Sequence, residues 1–329
     1  MSTLGISGVD PTLESALVAG MAQVEVLLRT QIEGDYPLVV QTSRHLVEAG
    51  GKRLRPMLTL LAAQFGDPSK IEVIQAAVVC ELTHLATLYH DDVMDEAPLR
   101  RGVDSANSRW GNTVAILTGD YLFAKASDLL ADLGPEAVRL QARTFERLVI
   151  GQISETQGFT KGMSQIDHYL KVVADKTGSL IATSARYGAL LSGAAEPVVD
   201  IVTKFGEEMG ITFQLADDVI DIASTTNESG KTPGTDLREG VPTLVTLFVL
   251  ESDDPQDAAL REVLSAPITD ERVVAETLAA LRVHPAMAKS RALLDQYAES
   301  SRHLLDQLPA GSAKDALISL CDTIITRTA

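Results

Sequence analysis

Cysteine, aromatic side chains and basic residues are all scarce in this chain of 329 residues. Two cysteines, Cys80 and Cys321, cannot build a disulfide framework, which favours a reducing, cytoplasmic setting. Aromatic residues make up only 4% of the chain, while Ala and Leu are frequent, and this composition predicts packed helices. With 28 Lys and Arg against 45 Asp and Glu, the formal net charge is -17, which argues against nucleic acid as a partner.

Long uncharged apolar runs are also missing. No stretch of about eighteen apolar residues lacks charge, so we expect no stable membrane insertion. The polar start, residues 1–11, has no apolar signal core. Nothing resembles a Pro- or Ser-rich linker, and 45% hydrophobic residues are enough for a large core. The sequence therefore predicts a single domain over residues 1–329.

Apolar residues recur at helical spacing over most of the chain, and no stretch alternates as a β-strand would. The pattern predicts an all-α protein of about ten to thirteen helices. Glycine and proline place the boundaries, and a break is expected near Lys176 and Gly178. The predicted helices cover residues 12–31, 43–49, 56–65, 71–95, 114–133, 136–157, 166–191 and 197–222, with several shorter ones after residue 242.

Three carboxylates, Asp91, Asp92 and Asp95, end the long apolar helix predicted over residues 71–95. Asp91 and Asp95 are four residues apart and share a helix face. Carboxylates so close repel one another unless a cation lies among them, and Mg²⁺ prefers oxygen ligands. On its own this short pattern also fits a solvated acidic helix end.

A second acidic cluster, Asp217, Asp218 and Asp221, repeats the spacing of the first and also ends a long apolar helix. Two such helices packed side by side would face their carboxylates across one cavity. That concentration of charge requires metal ions. The matched pair therefore favours a shared metal site over two unrelated, solvated acidic helix ends.

Basic residues are concentrated in loops that contain Gly or Pro, or lie beside the acidic clusters. Arginine forks bind phosphate in a bidentate manner and lysine acts as a point charge. Any one of them could be a solvated surface residue, but together they predict two anionic substrates. The residues concerned are Lys52, Arg53, Arg55, Arg100, Arg101, Lys176 and Lys231.

These segments, taken in order, resemble the trans-isoprenyl diphosphate synthases of the polyprenyl synthetase family. The resemblance rests on Gly50–Pro56, on the run from Asp91 to Gly102, on Lys176–Thr177, and on Phe213–Gln214 before the second cluster. It implies an all-α bundle around a central cavity, usually a homodimer, and head-to-tail addition of isopentenyl diphosphate to an ionised allylic diphosphate. It also implies about three Mg²⁺ ions when substrate is bound.

The resemblance assigns roles by position. Asp91, Asp92, Asp95, Asp217, Asp218 and Asp221 would hold Mg²⁺. Arg100, Lys176 and Lys231 would contact the allylic diphosphate. Lys52, Arg55, His84 and Arg101 would hold isopentenyl diphosphate. Thr177 and Gln214 would lie near the allylic carbon, where their oxygens stabilise developing positive charge.

One position departs from the family pattern. Asp236–Gly240 is followed by Val241, where the family commonly has Lys. A diphosphate-binding cation is therefore missing, and Arg238 is a candidate to compensate. The missing lysine bears more on the affinity for diphosphate than on whether the reaction occurs.

Small residues precede the first cluster. Bulky aromatic residues four or five positions before the first Asp give short products in the family, and here Thr87 and Ala86 occupy those positions. A deep tunnel and a hepta- to nonaprenyl diphosphate, a precursor of quinone side chains, are expected. Geranylgeranyl diphosphate is the alternative if a bulky residue such as Phe123 stops growth early.

Other classes fit less well. A class I terpene cyclase uses acidic clusters but binds one diphosphate and has no need of the basic segments at 50–56 and 100–102. A non-catalytic subunit of a heteromeric prenyl synthase would lose acidic residues, and all six are present. A plain helical scaffold has no reason to carry both clusters.

Overall fold

The computed structural model describes residues 8–159, 162–224 and 233–326, which form sixteen α-helices and one two-stranded antiparallel ladder. The first helices are α1 Pro11–Gln31, α2 Pro37–Glu48, α3 Leu54–Ala62, α4 Ile71–Met94, α5 Ala106–Trp110, α6 Asn112–Leu133, α7 Pro135–Gln157 and α8 Gln165–Val173. They are followed by α9 Ser179–Ser192, α10 Glu196–Ala223, α11 Thr235–Glu239, α12 Leu244–Leu250, α13 Ala258–Val263, α14 Glu271–Val283, α15 Pro285–Asp306 and α16 Ser312–Thr326. The strands are β1 Leu99–Arg100 and β2 Val103–Asp104.

The all-α prediction is confirmed, although the described residues contain more helices than expected. Four of the sixteen, α5, α11, α12 and α13, have five to seven residues, too few turns for a hydrophobic period to show. The predicted start of the second helix at residue 43 is wrong, because α2 begins at Pro37. Proline suits the first position of a helix. Leu38, which follows it, is apolar but exposed, so the first turn does not show the helical spacing of buried apolar residues.

A short hairpin is the only strand pairing in the described ranges 8–159, 162–224 and 233–326, and no sequence pattern predicted it. Leu99 pairs with Asp104, and Arg100 with Val103. The reversal uses positive φ at Arg101 (54°) and at Gly102 (79°), the backbone of a tight hairpin turn. It returns the chain toward the acidic end of α4.

The predicted break near Lys176 is present as a single π-helical turn, Ala174–Gly178, between α8 and α9. The N–H of Ser179 donates to the carbonyl of Ala174, five residues earlier. Such isolated wide turns occur often at functional sites. Lys176 and Thr177 therefore lie on a locally widened helix.

Helix α4 lies at the centre of the bundle and packs against α1, α3, α6 and α9. It is long and apolar enough to span a membrane, but 72% of its most apolar window is buried inside the protein. It is therefore the core helix of the fold, and its burial fixes where its acidic end emerges.

Helix α10 is the second organising element and packs against α9 and α15. Its last turns join a smaller apolar cluster with α11, α12, α14 and α15, which includes Val219, Val245 and Leu278. Phe248 packs against both this cluster and the main core. The acidic end of α10 is therefore held by the smaller apolar cluster, which Phe248 connects to the main core.

Candidate active site

The acidic end of α4 is partly neutralised within the protein. Asp92 is fully buried, and the Nε of Arg100 donates to its Oδ1 at 2.5 Å. The hairpin places Arg100 there, eight residues beyond Asp92. The other oxygen of Asp92, Oδ2, is buried without a hydrogen-bond partner. A buried unpartnered carboxylate oxygen is costly unless a ligand uses it.

Asp91 has an unusual protonation equilibrium. Burial raises its pKa from 3.8 to about 6, and the charge of Lys176 opposes this rise. Lys176 itself donates from Nζ to Glu155 Oε2 at 2.6 Å. The π-turn therefore brings Lys176 to the first acidic cluster, where a carboxylate of α7 binds it.

The acidic end of α10 is held by hydrogen bonds. Asp218 is buried and accepts from the Tyr169 hydroxyl at Oδ2 and from Gln214 Nε2 at Oδ1, the latter at 2.9 Å. Burial raises the pKa of Asp218 to about 6. Asp221 accepts from the Thr235 N–H at Oδ1. The orphaned buried carboxylate oxygen is therefore that of Asp92, in the first cluster.

Both clusters face the same region. Glu239 of α11 has a pKa raised first by burial and then by the negative charge of Asp95 in the first cluster, and Asp221 of the second contributes in the same direction. Lys176 lies within electrostatic range of Asp91 and shares a cavity wall with Asp218. Both acidic ends therefore lie within electrostatic range of Glu239, but the expected side-by-side packing of the two helices is not found, since α4 and α10 each pack along α9.

A cavity of about 300 Å³ lies between α7, α8, the π-turn and α10. Its walls combine polar side chains, such as Gln214, with the apolar side chains of Val172 and Val173. Four predicted site residues, Lys176, Thr177, Gln214 and Asp218, are among its walls, which also contain Glu155, Gly158, Phe159, His168, Tyr169, Val172, Val173, Asp236, Val241, Pro242 and Thr243.

The predicted basic residues form a second group beside α4. Burial, and then the charges of Arg55 and Arg101, hold the pKa of His84 well below 6.5, so this histidine is neutral. The Nε of Arg55 is buried without a partner. Lys52 lies over the Phe213 ring at 5.6 Å, which joins this group to α10. A neutral imidazole among arginines is suited to donate a hydrogen bond to an anion.

Arg53, which the sequence grouped with the phosphate-binding cations, has a structural role. Its guanidinium donates to Glu25 Oε1 at 2.6 Å and to Glu81 Oε1 at 3.0 Å, and its side chain is only 8% exposed. Arg238 is also engaged elsewhere. It binds Glu271 through Nε at 2.8 Å and Nη2 at 2.7 Å, so the expectation that it compensates for Val241 is not supported.

The oxygen donors fit a hard divalent cation. No group of three or more His, Cys, Asp or Glu side chains in the described part of the chain already converges as a complete metal site. Mg²⁺ commonly takes one or two carboxylates and completes its shell with waters and substrate phosphates. The buried Oδ2 of Asp92, which has no hydrogen-bond partner, is the observation that matches this donor set.

Tyr169 and Glu155 are site residues that the sequence reasoning missed. Tyr169 precedes Lys176 by seven residues, a spacing that would place both on one face of an uninterrupted α-helix and was visible in the sequence. Glu155 gave no signal beyond its place in a predicted helix. Lys231, predicted to contact the allylic diphosphate, lies outside the described residues.

Ala86 and Thr87, the residues predicted to bear on chain length, lie about one turn before Asp91 on α4 and are not among the walls of the cavity described above. Ala86 is fully buried and Thr87 is 7% exposed. The backbone of Ala86 faces α6, where a Cβ on Gly119 would come within 3.0 Å of its carbonyl oxygen. Phe123 of α6 packs on the His90 and Phe145 rings, with centroids 5.8 and 4.4 Å away.

Fold and site together define a class of all-α proteins with two aspartate-bearing helix ends, a cavity beside the second of them and a separate basic group. The model of the family described as polyprenyl synthetase matches residues 36–281. The chain belongs to the polyprenyl synthetase family, and the resemblance found in its motifs is confirmed.

Known relatives cover nearly the whole chain. It is 48% identical to nonaprenyl diphosphate synthase of Mycobacterium tuberculosis, over 98% of this chain and 97% of the relative. Heptaprenyl diphosphate synthase component 2 of Geobacillus stearothermophilus is 38% identical, with 93% and 95% covered. The crystal structure of geranylgeranyl pyrophosphate synthase from Corynebacterium glutamicum, complexed with calcium and isoprenyl diphosphate, has a TM-score of 0.88 at 44% identity and covers 97% and 98%. The predicted trans-prenyltransferase class is confirmed by these relatives.

Proposed function

We propose that the protein condenses an allylic diphosphate with isopentenyl diphosphate, head to tail. The observation that carries this proposal is the meeting of two acidic helix ends around Lys176, beside a separate basic group. One diphosphate would lie between the acidic ends. The basic group, which contains Arg55, His84 and Arg101, would bind the second.

The chain's own residues account for the steps. Lys176 would leave Glu155 and bind the allylic diphosphate, because a diphosphate carries more negative charge than a carboxylate. Thr177 and Gln214 line the cavity and would direct their oxygens at the positive charge that forms as the C–O bond breaks. The apolar cavity wall excludes water, which would otherwise quench the cation. The departed diphosphate would accept the final proton.

Mg²⁺ is the proposed cofactor. When bound, it stabilises the negative charge of the leaving diphosphate. The proposed ligands are the six aspartates of the two clusters, which would hold about three ions with substrate bound. Asp92 contributes a buried oxygen that has no hydrogen-bond partner in the protein.

A hepta- to nonaprenyl diphosphate, for a quinone side chain, is the proposed product. The small residues Ala86 and Thr87 and the nonaprenyl and heptaprenyl names of two relatives support it. Geranylgeranyl diphosphate is the alternative, supported by the Corynebacterium structure and by the ring of Phe123 beside α4.

A cytoplasmic homodimer of single-domain subunits is the proposed state. Exposed apolar side chains on α6 and α7 support the dimer: Leu117 is 60%, Ile150 46% and Ile153 50% exposed. Apolar groups clustered on a surface favour association. The packing of Phe248 on both apolar clusters supports one domain.

The test is Mg²⁺-dependent consumption of isopentenyl diphosphate by purified protein with geranyl, farnesyl and geranylgeranyl diphosphates in turn. Formation of longer prenyl diphosphates is expected, and their length decides between the two products. Consumption of the allylic substrate alone would indicate a terpene cyclase. Activity only after addition of a second protein would indicate a subunit of a heteromeric synthase.

A further inference from the structure

The π-turn that carries Lys176 and Thr177 is held by contacts outside the cavity. Its hydrogen bonding differs from that of an α-helix, and the Ser179 hydroxyl satisfies the carbonyl of Asp175 at 2.6 Å. If the turn relaxed to α-helical winding, one residue would be displaced around the helix. Lys176 and Thr177 would then point in other directions, because each residue turns a helix by about 100°.

An ion-pair network fixes this turn through Asp175, whose side chain is 11% exposed. Arg147 of α7 donates from Nε to Asp175 Oδ1 at 2.9 Å, and Lys171 of α8 binds Oδ2 at 2.6 Å. Arg147 also donates from Nη2 to Glu207 of α10 at 2.6 Å. One planar guanidinium therefore joins α7, the π-turn and α10, a geometry that a lysine ammonium does not reproduce.

Glycines on the flanking helices allow the backbone of the turn to approach so closely that a side chain at their positions would not fit. A Cβ on Gly151 of α7 would lie 2.9 Å from the backbone nitrogen of Lys176. A Cβ on Gly210 of α10 would lie 2.7 Å from the Cα of Gly178. The turn is thus enclosed by the two helices that Arg147 links.

We propose that Arg147 is a positioning residue, which holds the π-turn through Asp175 so that Lys176 and Thr177 meet the allylic diphosphate. The identity of that ligand rests on the proposed function, whereas the ordering of the turn does not. Arg147 is not among the residues of the cavity wall. Its side chain is 40% exposed, so its ion pairs contribute little to global stability, and positioning is separable from folding.

The kinetic test compares Arg147→Met and Arg147→Lys with Arg143→Met, an exposed arginine one turn earlier on α7. Arg147→Met is expected to lower kcat/KM for the allylic diphosphate by about 100-fold, the cost typical of a catalytic group displaced by about 1 Å. The KM for isopentenyl diphosphate should stay within about twofold, since the basic group is separate. Arg147→Lys should recover little, and Arg143→Met should match wild type.

A double-mutant cycle with Asp175→Asn tests whether Arg147 acts through Asp175. If Arg147 acts through Asp175, the double variant loses no more kcat/KM than either single variant. Fully additive losses would overturn the proposal. So would wild-type kinetics in folded Arg147→Met.

Hydrogen exchange supplies a readout that needs no activity. Amides of residues 174–179 should exchange at least about tenfold faster in ligand-free Arg147→Lys than in wild type, with α4 unchanged. Unaltered exchange would overturn the proposal even if activity fell. If wild type consumed no isopentenyl diphosphate, the proposed function would fail, and exchange would still decide whether Arg147 orders the turn.

Discussion

Gly51 lies directly against the guanidinium of Arg101. A Cβ at position 51 would come within 2.9 Å of Arg101 Cζ, and φ at Gly51 is +141°, a conformation that favours glycine. Arg101 is held there by hydrogen bonds to the carbonyls of Leu46, at 2.7 Å, and Gly50. A glycine in the loop before α3 thus decides where an arginine of the hairpin can lie.

Gly51→Ala should therefore displace Arg101 and weaken the second diphosphate site. The expected effect is an increase of about tenfold in KM for isopentenyl diphosphate, equivalent to about one charge-assisted hydrogen bond, with a smaller change for the allylic substrate. Gly50→Ala is the control, because φ there is +89° but no atom lies within 4 Å of its Cβ. Equal KM values for isopentenyl diphosphate in the two variants would show that Arg101 does not bind this substrate.

Asp91→Asn should stabilise the protein in the absence of ligand and metal. Burial raises the pKa of Asp91 from 3.8 to about 6, so the folded state binds its proton more tightly than the unfolded state. The cost of burying the charged carboxylate is nearly absent below about pH 4, grows between about pH 4 and 6, and is fully present above about 6. At 1.36 kcal/mol per pKa unit, removing it at pH 7.5 gains up to about 3 kcal/mol.

Calorimetry at pH 4 and pH 7.5 without Mg²⁺ measures this gain as a Tm difference of several degrees at pH 7.5 only. Asp128→Asn, an exposed carboxylate of α6, is the control and should leave Tm unchanged. A Tm increase of equal size at both pH values would show that burial of charge is not the cause. The stabilised variant should be inactive.

Tyr169→Phe should weaken metal binding at the second cluster. The Tyr169 hydroxyl donates to Asp218 Oδ2 and opposes the burial that raises the pKa of this carboxyl to about 6. Loss of an outer hydrogen bond to a metal ligand typically costs ten- to a hundredfold in affinity. The Mg²⁺ concentration for half-maximal activity should rise about tenfold, and the acidic limb of the pH–rate profile should move to higher pH. Tyr36→Phe, at an exposed site, should change neither.

Val241→Lys should strengthen allylic diphosphate binding. Val241 lines the cavity with Thr177 and Gln214, so a lysine there would bring an ammonium near the acidic ends and the diphosphate. KM for the allylic substrate should fall severalfold and depend more steeply on salt, while Val241→Met should not alter it. Arg238→Ala should leave KM unchanged, because Arg238 binds Glu271. A higher KM for Arg238→Ala would assign it the compensating role after all.

Ala86→Phe should shorten the product. Ala86 is fully buried on the helix below Asp91, and a larger side chain there would block growth of the chain or shift α6. Overpacking is expected to cost about 1–3 kcal/mol of stability. Product length by chromatography is the measurement, with Ala86→Ser as the control and Thr87→Phe as a second blocking variant. Unchanged length in both blocking variants would place the tunnel elsewhere.

Repeated sequence patterns determined the fold class and most of the candidate site. Asp91 and Asp217 begin matching acidic patterns at the ends of long apolar helices, and such patterns follow from helical period alone. The basic segments at 50–56 and 100–102 were equally visible because glycine and proline mark the loops around them. These features are local, so the sequence displays them directly.

Tertiary structure decided how individual cations are used. Arg53 and Arg55 are two residues apart, yet Arg53 binds Glu25 and Glu81, whereas the Nε of Arg55 has no partner. Arg238 forms an ion pair with Glu271, 33 residues later. Which carboxylate reaches a guanidinium depends on the packing of distant helices, and no local pattern records it.

The same reason separates Tyr169 and Arg147 from the residues that the sequence identified. Tyr169 acts on Asp218, 49 residues away, and Arg147 joins Asp175 to Glu207 across three elements. The sequence by itself determined the two aspartate clusters, the basic segments and the helix ends at which they lie. Only the tertiary structure decided which of them are buried, which are already paired and which oxygens remain without a partner, because burial and pairing are properties of helices packed together.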